Sequence, residues 1–149
     1  MGRLPKIDTN KLAYIAGFLD GDGSIMLQLR KKDGKFIRVK TVICLYQDTN
    51  YRKDIEWMQK ILGCGYVYNR NDHICELRIE GFQRVFETLI LLKPYLRLKI
   101  KQANLLLTLI PKLQEKTVTK ENVSVWVQKM REYNYYSSQR TILEVPVTT

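Results

Sequence analysis

Apolar residues recur along this chain with two different periods, and the switches between them mark its elements. Leu12, Ile15, Phe18 and Leu19 stand at helical spacing behind the N-cap candidates Asp8, Thr9 and Asn10. Ala13, Ala16 and Gly17 are small and lie at helical neighbour spacings, so another backbone can approach closely on that face. Gly21 and Gly23 are expected to stop the helix through left-handed backbone, which only glycine enters without a steric cost. From Ile25 the period drops to two. Ile25, Leu27 and Leu29 share one face, with Met26, Gln28, Arg30 and Lys32 on the other. Asp33-Gly34 predicts a hairpin turn. The return run sets Ile37, Val39, Ile43 and Leu45 against Arg38, Lys40, Val42, Cys44 and Tyr46.

The sequence of elements then repeats loosely. Asp48, Thr49 and Asn50 cap a second helix over residues 51–62, with Ile55, Met58, Ile61 and Leu62 as its core stripe. Gly63-Cys64-Gly65 ends it. A second hairpin over residues 66–70 and 74–79 turns at Asn71-Asp72. Tyr66, Tyr68 and Arg70 share one face of it, as do Ile74, Glu76 and Arg78. Residues 82–92 read as a third helix closed by Lys93-Pro94, and an apolar helix follows that ends near Pro111. Residues 115–121 read as a loop and 122–133 as a last helix, packed through Trp126, Val127 and Met130. Residues 135–149 form a poorly specified tail. The order α-β-β-α-β-β-α makes this an α+β protein of one domain over residues 1–149, its core at about 8–113 and a C-terminal helix and tail from about 114.

Charge adds the partner. Lys and Arg number 25 against 15 Asp and Glu, a formal net charge of +10 with an isoelectric point near 9.6. A surplus of that size points to a polyanion, nucleic acid first, and a sheet that is apolar on one face and basic on the other suits a duplex. No run approaches the roughly 18 apolar residues that span a bilayer, so no membrane partner is expected. Cys44, Cys64 and Cys75 form no metal-binding spacing and suggest packed thiols in a reducing, intracellular compartment. With His73 the only histidine, catalysis rests on carboxylates, a metal and basic groups, and no small-molecule substrate is indicated.

Asp20-Gly21-Asp22-Gly23 carries the candidate chemistry. The last carbonyls of a helix lack intrahelical partners and carry the negative end of its dipole. Carboxylates added there gather oxygen ligands for a hard divalent cation. A solvated turn is the plain alternative for those four residues alone. A calcium loop counted from Asp20 fails, because Ile25 and Lys31 stand where it needs Gly and Glu.

The whole stretch Leu12-Ala13-Tyr14-Ile15-Ala16-Gly17-Phe18-Leu19-Asp20-Gly21-Asp22-Gly23-Ser24 resembles the signature of the LAGLIDADG homing endonucleases. It occurs once, which in that family means a homodimer. Gly63-Cys64-Gly65-Tyr66-Val67 is similar to the same single-motif branch, as is Lys93-Pro94-Tyr95-Leu96-Arg97-Leu98-Lys99 with Gln102-Ala103-Asn104. The resemblance implies a four-stranded antiparallel saddle sheet with helices on one face. It also implies signature helices packed along a dyad through Ala13, Ala16 and Gly17, and a double-strand break in a long pseudo-palindromic DNA site. By resemblance, Asp22 is the catalytic carboxylate and metal ligand, with the Gly21 carbonyl beside it. The cation is Mg2+; Mn2+ or Ca2+ could take the same site, calcium without cleavage.

By the same resemblance, Gln47 and Lys99 order water and steady the phosphate. The family's second basic position is occupied by Tyr51, with Arg52 or Lys53 as shifted substitutes, and loss of that cation is expected to slow cutting. Candidates for DNA contact are Ser24, Met26, Gln28, Arg30, Lys32, Arg38, Lys40, Cys44, Tyr46, Tyr66, Tyr68, Arg70, Glu76 and Arg78. The competing expectation is a non-catalytic nucleic-acid-binding protein, such as an intron maturase, on the same fold. The host compartment is expected to be an organelle or a prokaryotic cytoplasm.

Overall fold

The computed structural model describes residues 6–116 and 118–138. Asp8 opens the first helix as the sequence suggests: its carboxylate accepts the Asn10 amide at 2.8 Å, and α1 spans Thr9–Asp22. The helix end differs from the expectation. It runs through Gly21, and Gly23 follows in extended backbone at φ −130°, so neither glycine adopts a left-handed conformation. Space is what demands glycine at 23. A Cβ there would lie 2.7 Å from the Cys44 carbonyl oxygen and 2.6 Å from Leu19 Cδ1. Gly23→Ala should therefore destabilise the fold by roughly 1–3 kcal/mol, the usual cost of overpacking. Thermal unfolding checks this, and an unchanged melting temperature would show that the junction relaxes freely.

β1 (Gly23–Lys32) and β2 (Lys35–Asp48) form the first hairpin, with Ile25 opposite Ile43 and Leu27 opposite Thr41. Asp33 at φ 54° and Gly34 at φ 76° make the left-handed pair that a tight Asp-Gly turn requires. A 3-10 turn at Thr49–Tyr51, capped by Asp48, leads into α2 (Arg52–Leu62), which stops at Gly63 with φ 75°. β3 (Tyr66–Asn69) and β4 (Ile74–Glu80) complete an antiparallel sheet in the order β1-β2-β4-β3. α3 (Phe82–Leu92), a 3-10 turn at Lys93–Tyr95, α4 (Ile100–Gln114) and α5 (Lys120–Ser138) follow.

The period-two pattern decides which way the sheet faces. Ile25, Leu27, Ile43, Leu45, Cys75, Leu77 and Ile79 all enter one core with Ile15 and Leu19 of α1, Ile55 and Met58 of α2, and Leu89 and Leu106 beyond. Val42 and Cys44 are equally buried but sit outside that core, on the opposite face of the sheet. α4 runs past Pro111 instead of ending there. The proline lacks only its own amide bond, and the Glu115 amide closes the last turn on the Pro111 carbonyl at 3.0 Å. α5 is longer than expected at both ends. It packs through Val123, Val127 and Met130, while Trp126 is half-buried under the Lys112 ammonium. The expected tail from residue 139 onward lies outside the described residues.

Candidate active site and nucleic-acid face

The C-terminal turn of α1 is tied to a segment nearly eighty residues away. The Asp20 carboxylate accepts the Arg97 amide at 2.8 Å and the Lys99 amide at 3.0 Å. The Lys99 ammonium, in turn, donates to the Asp20 carbonyl at 2.7 Å. Asp20 and Lys99 are each only 9% exposed. Burial holds Lys99 below its ordinary pKa, opposed by the charges of Asp20 and then Asp22. Asp20 is thus a clamp, whereas Asp22 is exposed and makes no hydrogen bond or ion pair among the described residues. The Gly21 carbonyl lies in the same last turn, where carbonyls lack helical partners. A free carboxylate beside such a carbonyl fits a hard divalent cation. No three His, Cys, Asp or Glu residues converge among the described residues, and with the Asp20 carboxylate spent on the Arg97 and Lys99 amides, Asp22 is the carboxylate at this helix end left for a cation.

Gln47 lies two residues beyond Leu45, the partner of Gly23, which places it at the end of the sheet where α1 becomes β1. Its Oε1 accepts the Asp48 amide at 2.9 Å, and its Nε2 amide donates to no group among the described residues. Arg52, the first residue of α2, is engaged by its own chain. Its guanidinium donates to Asn69 Oδ1 at 2.8 Å and pairs with Glu56 at 3.5 Å, and Asn69 belongs to β3, at the opposite edge of the sheet from β1. Gln47 pairs with Cys75, which in turn pairs with Asn69, so the partner of Arg52 stands in the same row of the sheet as Gln47. Tyr51 is exposed.

The polar face collects the other predicted residues. Register lines up Ser24, Cys44, Arg78 and Tyr66 across the sheet, and Tyr46, Glu76 and Tyr68 in the next row. Met26, Gln28 and Arg30 of β1, with Arg38 and Lys40 of β2, extend it along the first hairpin. Arg70, just past β3, lies over the Tyr46 ring and pairs with Asp72 and Glu76. The side chain of Lys32 lies outside the described residues.

Two predicted DNA contacts are corrected. Glu76 is 4% exposed and Cys44 1%, so both lie beneath the surface they were expected to form. Glu76 accepts from the Tyr68 hydroxyl at 2.7 Å and the Cys44 thiol at 3.3 Å, and pairs with Arg78 at 3.5 Å. It is a hub that positions two arginines and a tyrosine. Burial pushes the Cys44 thiol up to about 12, which makes it inert as a nucleophile. Glu80 was missed: it holds Arg78 at 2.6 Å and Lys40 at 3.5 Å, and its parity with Glu76 and Arg78 was visible in the sequence. Ala16 is also corrected. It is fully buried in its own chain's core, while Ala13 and Gly17 are exposed.

Residues 15–109 match the model of the LAGLIDADG endonucleases, more than half of the chain. The chain belongs to this family. A LAGLIDADG relative, DNA endonuclease I-CvuI of Chlorella vulgaris, is 39% identical over 108 residues, which cover 71% of this chain and 67% of that one. DNA endonuclease I-CreI of Chlamydomonas reinhardtii is 30% identical over 144 residues, 93% of this chain and 88% of the relative. The crystal structure of I-CvuI in complex with its target in the presence of 2 mM Ca superimposes with a TM-score of 0.77 at 33% identity, covering 84% of this chain and 82% of that one.

Proposed function

We propose that this LAGLIDADG protein is a site-specific homing endonuclease that acts as a homodimer and breaks both strands of a long pseudo-palindromic DNA site by metal-dependent hydrolysis. The observation that carries the mechanism is an exposed, unpartnered Asp22 on the same helix end that locks the Lys99 ammonium in place. Asp22 and the Gly21 carbonyl would hold Mg2+, and Mn2+ or Ca2+ suits the same oxygen donors. When bound, such an ion supplies Lewis acidity and a water of lowered pKa. Lys99 brings positive charge toward the charge that develops on the phosphate, and Gln47 orients water through its free amide. The basic sheet face lies along the major groove, where Arg30, Arg70 and Arg78 are suited to guanine and Gln28 to adenine.

Dimer formation is supported by the outer face of α1. Ala13, Gly17 and Gly21 recur every fourth residue, and a Cβ at either glycine would meet nothing within 4 Å. Each helical glycine costs about 1 kcal/mol relative to alanine. The chain's own packing does not require that cost, whereas close approach of a second α1 does. A two-fold axis there would bring two copies of Asp22 together, supplying the second carboxylate that one chain lacks. One shared core supports a single domain. The three free thiols suit a reducing intracellular setting, organellar or prokaryotic.

Selection of cleaved products from a randomised duplex library with Mg2+ tests the reading. The expected result is one long, near-symmetric site cut on both strands. No cleavage, or cutting without sequence preference, overturns it.

A further inference from the structure

We propose that α5 seats a phosphate of the DNA backbone at the edge of the sheet, with Arg131 as the cation that meets it. This rests on the endonuclease reading above. β1 is an edge strand, and α5 is fixed against it by the buried Met130 and by Asn134, whose Nδ2 donates to the Ile25 carbonyl at 3.0 Å. Between them opens a cleft of about 560 Å³ lined by Gln28, Arg30, Lys40, Met130, Arg131 and Asn134, among others. Among the described residues three cations border it, and no carboxylate does.

The two nearest acids in sequence and register do not line the cleft. Glu80 is held by Lys40 and Arg78, and Glu132, next to Arg131, lines a different cleft with Arg97 and Lys101. Arg30 and Arg131 are exposed and form no ion pair among the described residues. With Lys40 paired to Glu80, Arg30 and Arg131 are the two uncompensated cations at this opening, and a guanidinium matches a phosphodiester's paired oxygens. Continuity identifies the anion. Gln28 and Arg30 belong both to this cleft and to the face laid on the duplex, so a strand following that face passes the opening. Arg131 stands on a helix beyond the strand rows, placed for the backbone instead of base edges. It also lies outside the residues that match the family model.

Binding of the selected duplex and a scrambled duplex is measured across salt concentrations for wild type, Arg131→Gln and Arg131→Lys. Arg131→Gln should weaken both duplexes by the same factor, roughly three- to tenfold near physiological salt, and lower the salt slope by about 0.9 for each phosphate that is no longer neutralised. Arg131→Lys should keep the slope. An unchanged slope in the Gln variant overturns the proposal, and so does a loss confined to the selected duplex, which marks a base reader. Stabilisation by inorganic phosphate alone, with the duplex slope unchanged, overturns the backbone assignment. A wild-type chain that binds neither duplex sinks the endonuclease reading and this inference with it.

Discussion

Asp22→Asn should abolish cleavage, by at least ~10³-fold in single-turnover rate, while binding to the target stays within a few-fold of wild type. The substitution keeps size and one acceptor oxygen but removes the charge. Asp22 is exposed and makes no hydrogen bond or ion pair among the described residues; within the chain its charge favours the protonated Lys99, so folding loses little there. The metal-holding group, by contrast, loses the one carboxylate at this helix end that the chain's own amides do not engage. Single-turnover nicking with Mg2+ and duplex affinity with Ca2+ are the paired measurements. Intact cleavage removes Asp22 from the chemistry. A large fall in melting temperature with the activity loss would make the helix end structural instead.

Asp20→Asn should produce the second-largest loss, roughly 10- to 100-fold in cleavage rate, although Asp20 itself is buried away from substrate. Its two carboxylate oxygens hold the Arg97 and Lys99 amides at 2.8 and 3.0 Å, and its carbonyl holds the Lys99 ammonium. Asparagine keeps one acceptor and turns an N–H2 toward an N–H, which frees the segment carrying Lys99. A double-mutant cycle separates positioning from general stability. In a Lys99→Met background, Asp20→Asn should cost little more, because the group it positions has gone. Additive losses would show that Asp20 acts independently of Lys99. A Lys99→Met chain that cuts normally would remove the lysine from the mechanism altogether. Amide hydrogen exchange at Arg97 and Lys99 reports the clamp without reference to activity, and it should accelerate in Asp20→Asn.

Local rules made much of this molecule legible beforehand. The Asp-Gly hairpin turn, the Asp8 and Asp48 caps and the two faces of the sheet follow from propensity and from a side-chain period of two, which act within a few residues. The signature from Leu12 to Ser24 located the free carboxylate as well, because its residues are contiguous.

The errors fall where the deciding neighbours are far along the chain. Gly23 is glycine because β2's backbone passes at Cys44, not because the helix needs a left-handed stop. Ala16 is inside and Gly17 outside because one residue turns a helix by about 100°, and only packing tells which small residue meets the core. Cys44 and Glu76 have the parity of a surface row, but Tyr68, Arg70 and Arg78 close over them.

By itself the sequence determined the order of elements, the basic face and the acid at the end of α1, since each depends on neighbours along the chain. Tertiary structure alone decided which charges are spent on one another and which remain for a partner. It joins Lys99 to Asp20 and sets Arg131 beside Arg30, because spatial neighbours are chosen by how the core closes.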